Sequence, residues 1–235
     1  MNKRVTALIS MITLMLSMLC AVPAAAGSAE TVFSLEMPAA TAITTDFTVD
    51  LKLSGNPGLS GAVLKLDYNT AVFTLEKIEA GALCGENALI VWDPAKPEFA
   101  VASPDIIAGN GVLLRLTFRV AETVTADDYE IKVSAVELRD GNLTDFTASP
   151  VAKEIYVQDY LWGDANGDKV TNVADVQTVL KWKVALLEDD DLNMIAADAD
   201  RNGSVGLTDA LILLQYLAGY VEWDINGATT PPTVI

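Results

Sequence analysis

Histidine is absent from the 235 residues, cysteine occurs twice, and basic residues number 15 against 32 acidic ones. Without histidine there is no Ser-His-Asp or Cys-His nucleophile, and most zinc sites lose their commonest ligand. The shortage of cations gives a formal net charge of −17. That excludes a reader of the nucleic-acid backbone, which needs clustered Lys and Arg. Hydrophobic residues make up 51% of the chain, enough to bury a core in one or two domains. The remaining question is what so many carboxylates are for.

The N-terminus addresses the compartment. Met1-Asn2-Lys3-Arg4 is a basic start, residues 5–20 are apolar, and Ala24-Ala25-Ala26 offers small residues before Gly27. This is the pattern of a secretory signal peptide over residues 1–26, so the protein is expected outside the cell. The apolar run is shorter than the roughly 20 residues a spanning helix needs. Bulky Leu19 before Cys20 argues against a lipoprotein site. Loss of the signal removes Cys20 and leaves Cys84 alone, so no intramolecular disulfide is available. Cys84 is expected to be a small buried hydrophobe.

Two periodicities follow. Between residues 31 and 157 apolar and polar residues alternate in short runs, as in Asp46-Phe47-Thr48-Val49-Asp50-Leu51-Lys52-Leu53 and Ala62-Val63-Leu64-Lys65-Leu66-Asp67-Tyr68. Residues 73–78, 112–120, 129–138 and 154–157 continue the pattern, with Gly, Pro and Asn breakers between them. Eight or nine short strands without a helical stretch predict an all-β antiparallel sandwich. After a short hinge at 158–161 the period becomes helical. Val176, Val179, Leu180, Val184 and Leu187 form one set, and residues 211–218 a second, ended by Gly219. Glu188-Asp189-Asp190-Asp191 between them reads as a surface turn, and the Pro/Thr-rich tail 225–235 as disordered.

An internal repeat carries the sharpest chemistry. Asp164-Ala165-Asn166-Gly167-Asp168-Lys169-Val170, closed by Asp175, returns 34 positions later as Asp198-Ala199-Asp200-Arg201-Asn202-Gly203-Ser204, closed by Asp209. Side-chain oxygens fall at loop positions 1, 3, 5 and 12, and the carbonyls of Val170 and Ser204 at position 7. This is the ligand spacing of an EF-hand-type calcium loop. Calcium takes six to eight hard oxygen ligands, and short side chains on alternate residues converge as the loop curls. Two Ca2+ ions are therefore expected, on Asp164, Asn166, Asp168, Val170 and Asp175, and on Asp198, Asp200, Asn202, Ser204 and Asp209. Position 6 is Gly203 in one loop but Lys169 in the other, so the first site is expected to be the weaker. Residues 160–227 hold twelve acids against four bases, which explains why this region should need the metal to fold.

No helix pattern precedes the first loop, unlike an ordinary EF-hand. Two loop–helix halves over residues 162–222, with Gly163-Asp164-Ala165-Asn166-Gly167-Asp168 followed by Asn172-Val173-Ala174-Asp175, resemble a type I dockerin. That resemblance implies a small α-helical module folded by two calcium ions and docked by its helix faces into a cohesin. The specificity positions before the closing acid would be Val173-Ala174 and Leu207-Thr208, which differ between halves. Leu211 and Ile212 sit where the first helix has Gln177 and Thr178, an apolar excess that reads as partner surface.

Residues 31–157 are more softly similar to a cohesin. The likeness rests on Gly58-Leu59-Ser60-Gly61-Ala62-Val63-Leu64-Lys65-Leu66-Asp67-Tyr68-Asn69 and Gly111-Val112-Leu113-Leu114-Arg115-Leu116-Thr117-Phe118-Arg119-Val120. It implies a jelly-roll-like sandwich that receives a dockerin on one sheet face. On the docking strand Gly61, Val63, Lys65 and Asp67 would face out. The whole then reads as a small secreted adaptor scaffoldin of a cellulosome-type, polysaccharide-degrading complex, with no chemistry of its own. A carbohydrate-binding sandwich carried by its dockerin is the alternative. Trp92 is the lone tryptophan of this region, and Tyr68 and Tyr156 are scattered, which is sparse for a sugar platform. No catalytic motif accompanies any pair of acids, so no enzyme is expected.

Overall fold

The structure, a computed structural model, describes residues 30–85 and 87–222 and the backbone of Thr233–Val234. Residues 1–26, where a signal peptide is expected, and most of the tail lie outside the described residues.

Ten strands form the β-rich region: β1 (Val32–Glu36), β2 (Ala40–Ala42), β3 (Asp46–Ser54), β4 (Leu59–Tyr68), β5 (Phe73–Ala80), β6 (Leu89–Trp92), β7 (Glu98–Ile107), β8 (Gly111–Val120), β9 (Asp127–Asp140) and β10 (Val151–Gln158). They make two sheets, one of four strands in the order β1-β3-β8-β5 and one of six in the order β2-β10-β9-β4-β7-β6. All pairings are antiparallel except β10 with β2. The expected sandwich is present, with that one parallel exception.

Strict alternation explains how the sheets close on each other. Along β3, Phe47, Val49, Leu51 and Leu53 turn inward, and along β4, Ala62, Leu64 and Leu66 do so. Leu113, Leu114, Leu116 and Phe118 of β8 are fully buried. Phe118 stacks on Phe47 at 5.5 Å and meets Tyr68 and Phe73 edge-on. Aromatic pairs of this geometry add to the burial term that holds the layers together.

The patterning left β6 and β7 unread, because Asp93-Pro94, Lys96-Pro97 and Pro104 look like breakers. Strand β7 tolerates Pro104 because its pairing with β4 jumps from Ala102 to Ile107, and the proline lies in the extra residues.

The segment expected to be a hinge is packed. Gln158 ends β10 and accepts the Ile43 N–H through its carbonyl, while Leu161 is buried with Ala42 and Ile43. Beyond it come α1 (Val173–Lys183), a 3-10 turn (Asp189–Asp191), α2 (Met194–Ala197), α3 (Leu207–Leu217) and β11 (Val221–Glu222). Strand β11 pairs with β12 (Thr233–Val234), so this part of the tail has regular backbone rather than the expected disorder. Helix α1 ends at Lys183, where two lysines meet the negative end of the helix dipole. Only Val176 and Val179 of its expected stripe are buried, whereas Leu180 and Val184 are exposed. With Ala165, Ala199, Ala210 and Leu213 they form a separate small core.

Candidate docking face and paired acidic loops

The two acidic loops have the same geometry, residue for residue. In the first, Asp164 accepts the N–H groups of Asp168 and Lys169 at 3.0 and 2.9 Å, and Asn166 Oδ1 accepts Asp168 N–H at 2.9 Å. In the second, Asp198 accepts Asn202 and Gly203 at 3.1 and 2.8 Å, and Asp200 Oδ1 accepts Asn202 at 3.1 Å. The closing acids also match. Asp175 accepts from Asn166 and Asn172 at 3.2 and 2.7 Å, and Asp209 from Asp200 and Gly206 at 3.1 and 2.7 Å. Asn172 caps α1 by accepting Ala174 N–H, so Asp175 sits in a capping box in the first helical turn.

Backbone strain is distributed evenly between the loops. Lys169 adopts φ +68° and Gly167 +74°, whereas the matching pair are Gly203 at +87° and Arg201 at +57°. Each loop therefore places one glycine and one non-glycine in the left-handed region, at positions 4 and 6 in opposite order. The expectation that Lys169 alone weakens the first loop loses its basis. Arg201 carries the equivalent strain, and its guanidinium stacks 4.2 Å from the Trp162 ring centroid.

The donor chemistry suits a hard divalent cation. Asp164, Asp175 and Asp209 are buried, and burial pushes their carboxyls above the ordinary carboxylate value. Among the described residues, ligand oxygens of Asp198, Asp200 and Asp209 lie within 4.8 Å of one another. Like charges held this close in a partly buried cluster oppose one another's ionisation, and a divalent cation among them would relieve that repulsion. Val170 and Ser204 occupy the seventh positions, their carbonyls free of sequence identity.

Next to these loops, the first turns of both long helices present apolar surface. Val173 and Leu207 are exposed at 53% and 66%, Thr208 is exposed and Ala174 partly so. Leu211 is half exposed. Ile212 instead packs partly against the small core, so the face contains Leu211 but only part of Ile212.

The two outer faces of the sandwich differ in kind. On the four-stranded sheet, Arg115 forks onto Asp50 at 2.7 and 2.8 Å, Arg119 reaches Asp46 at 3.0 Å, and Lys52 pairs with Glu36. This face is closed by its own ion pairs. On the six-stranded sheet, Gly61, Val63, Lys65 and Asp67 face out as expected. The pairing places Leu89, Ala102, Gly61 and Arg139 in one row across four strands, and Val91, Ala100, Val63 and Glu137 in the next. Leu89 and Val91 are 65% and 60% exposed. A register shift between Val63 and Leu64 leaves Val136 of β9 exposed beside them. Lys65 and Asp67 form an ion pair of 2.8 Å at one margin, and Arg139 and Glu137 another of 2.5 Å at the side. The result is an apolar strip rimmed by charge. Strand β6 contributes Leu89 and Val91 to it, and its four residues, beside two prolines, carry too little alternation to read from sequence.

The sandwich also defines the family. The cohesin domain model matches residues 34–157, more than half of the chain, and the protein belongs to the cohesin family. Among solved structures it is similar to a chain of a type I cohesin–dockerin complex from Clostridium thermocellum, with 14% identity, 55% of this chain and 99% of that chain covered, and a TM-score of 0.47. A cohesin module of a family 33 glycoside hydrolase from Clostridium perfringens gives 14%, 55%, 97% and 0.48. A non-cellulosomal cohesin from the archaeon Archaeoglobus fulgidus gives 19%, 55%, 92% and 0.46. No curated protein matches the chain.

Proposed function

We propose that the protein is a non-catalytic, secreted adaptor with two docking surfaces. The outer face of the six-stranded sheet receives a dockerin borne by an enzyme. The C-terminal module, folded around two calcium ions, is itself dockerin-like and docks into a cohesin on a larger scaffold. In this way the chain changes which enzymes a polysaccharide-degrading assembly recruits.

The contrast between the two outer faces carries this reading. A sandwich that needed only solubility would close both faces with ion pairs, as the four-stranded sheet does. Instead the six-stranded sheet leaves an apolar centre of Gly61, Val63, Ala100 and Ala102 with a charged rim, the anatomy of a protein interface. Membership of the cohesin family supports a protein partner for that face. Small residues at its centre let a helix approach the sheet closely, and the rim charges orient it.

In the C-terminal module, Asp164, Asn166, Asp168, Asp175 and the Val170 carbonyl would hold one calcium ion. Asp198, Asp200, Asn202, Asp209 and the Ser204 carbonyl would hold the other. Bound calcium supplies the positive charge that lets these carboxylates remain ionised while buried. The closing acids sit on the first turns of α1 and α3, so the loops set where Val173, Ala174, Leu207, Thr208 and Leu211 are presented. Because the first-turn pairs differ, the two halves do not present equivalent surfaces.

The test is capture by the full chain of dockerin-bearing proteins from the secretome of the producing organism. Val63→Arg should abolish capture, because it buries an unpaired charge in the strip, while Arg115→Ala on the opposite face should not change it. Retention of capture by Val63→Arg would remove this face from the account.

A further inference from the structure

The sandwich has an open side where β5 and β6, the last strands of their sheets, meet. A cavity of about 250 Å³ lies there. Its floor is apolar, made by Leu66, Leu75, Ile78 and Phe99, and half-buried Trp92 forms a wall. Tyr68 lines it as well. The two aromatic residues are 24 positions apart in the sequence, and only the fold brings them to one cavity. Asp67, Lys96 and Glu98 stand at the mouth.

The wall is preformed. Lys96 N–H donates to Asp93 O at 2.9 Å, Ala95 N–H to Asp93 Oδ1 at 3.0 Å, and Leu66 N–H to Pro97 O at 2.8 Å. With Pro94 and Pro97 fixing φ, the turn carrying Lys96 has little freedom to lose on binding. Such a cavity is smaller than the roughly 300–1,000 Å³ typical of drug-sized ligands, and so has room for one ring. A tryptophan wall beside an apolar floor selects a flat, partly apolar ring. Two carboxylates and one amine at the mouth select an occupant with several hydroxyls rather than an anion. A neutral sugar ring has both properties.

We propose that this edge cleft binds one ring of a neutral polysaccharide, with the ring against Trp92 and its hydroxyls on Asp67, Lys96 and Glu98. The cleft thus gives the sandwich a glycan contact beside its protein-docking strip, sharing only the marginal Asp67 with it, and its binding does not require that the strip bind a dockerin.

The full chain, with calcium present, would be titrated calorimetrically with cellohexaose and xylohexaose, with tryptophan fluorescence followed in parallel. Binding of at least one with a Kd in the millimolar range or tighter is expected. Trp92→Ala should weaken it about tenfold or more, and Glu98→Gln by a smaller factor through the lost charged acceptor. Trp92→Phe, which keeps a ring and so preserves packing, should retain binding while abolishing the fluorescence change. Far-UV circular dichroism checks that each variant is folded, and Val63→Arg should bind sugar unchanged. The proposal is overturned if neither hexasaccharide binds, or if Trp92→Ala and Glu98→Gln both leave binding intact. It is equally overturned if tetramethylammonium occupies the cleft in their place, which would make Trp92 and the acids a cation site.

Discussion

Cys84 illustrates how much a single residue's surroundings decide. It is 5% exposed, and its thiol donates to the Leu113 carbonyl at 3.0 Å. Burial pushes its pKa up to about 11, so the thiolate that would react is scarce at any physiological pH. Native protein at pH 8 should therefore resist a thiol reagent such as iodoacetamide, and label fully only in denaturant; rapid stoichiometric labelling of the native chain would contradict this. The sequence anticipated the burial, because a lone cysteine packs most readily as a small hydrophobe. It did not anticipate Arg201. Position 6 of the loops drew attention because one loop lacks glycine there, yet the left-handed residue at position 4 carries no such signature unless the two loops are compared in three dimensions.

Among the elements, α1 and α3 are the ones the proposed calcium ions would stabilise most. Each is 11 residues long, marginal by itself, and each starts on a buried carboxylate. Chelation with EGTA should remove most of their helical circular dichroism, and calcium should restore it; unchanged helix content would contradict the metal reading. Within that experiment, Lys169→Gly relieves a left-handed non-glycine worth about 1 kcal/mol, and should shift refolding to lower calcium concentration. No shift, or a shift to higher concentration, would show that the Lys169 side chain matters more than its backbone. The paired geometry of the two acidic loops was legible because their residue spacing is local, fixed within twelve residues. Strands β6 and β7 were not, because their identity comes from pairing with β4 and from a bulge that accommodates Pro104. The helical stripe was overread for a related reason: Val184 and Leu187 continue the apolar spacing, but they lie past the end of α1 at Lys183, where neighbouring structure decides burial.

At the scale of the whole molecule, the distribution of charge separates surfaces by role. Residues 160–227 carry twelve acids against four bases, the acids gathered mainly in the two acidic loops and around the 3-10 turn. One sheet neutralises its own charges in ion pairs, and the other sets its charges at the rim of an apolar strip. The strip was half visible from sequence, since alternation along β4 gives Gly61, Val63, Lys65 and Asp67. Its other half required the sheet order, which places β7 and β6 beside β4. Two such surfaces, one on the sandwich and one on the helices, define an adaptor only if both can be occupied together. The direct measurement is light scattering on the full chain in calcium, mixed with a captured dockerin-bearing protein and the scaffold cohesin. A ternary complex is expected, with Val63→Arg removing only the first partner and Leu211→Asp weakening only the second. Mutually exclusive binding of the two proteins, or loss of both from either substitution, would contradict an adaptor with two independent surfaces.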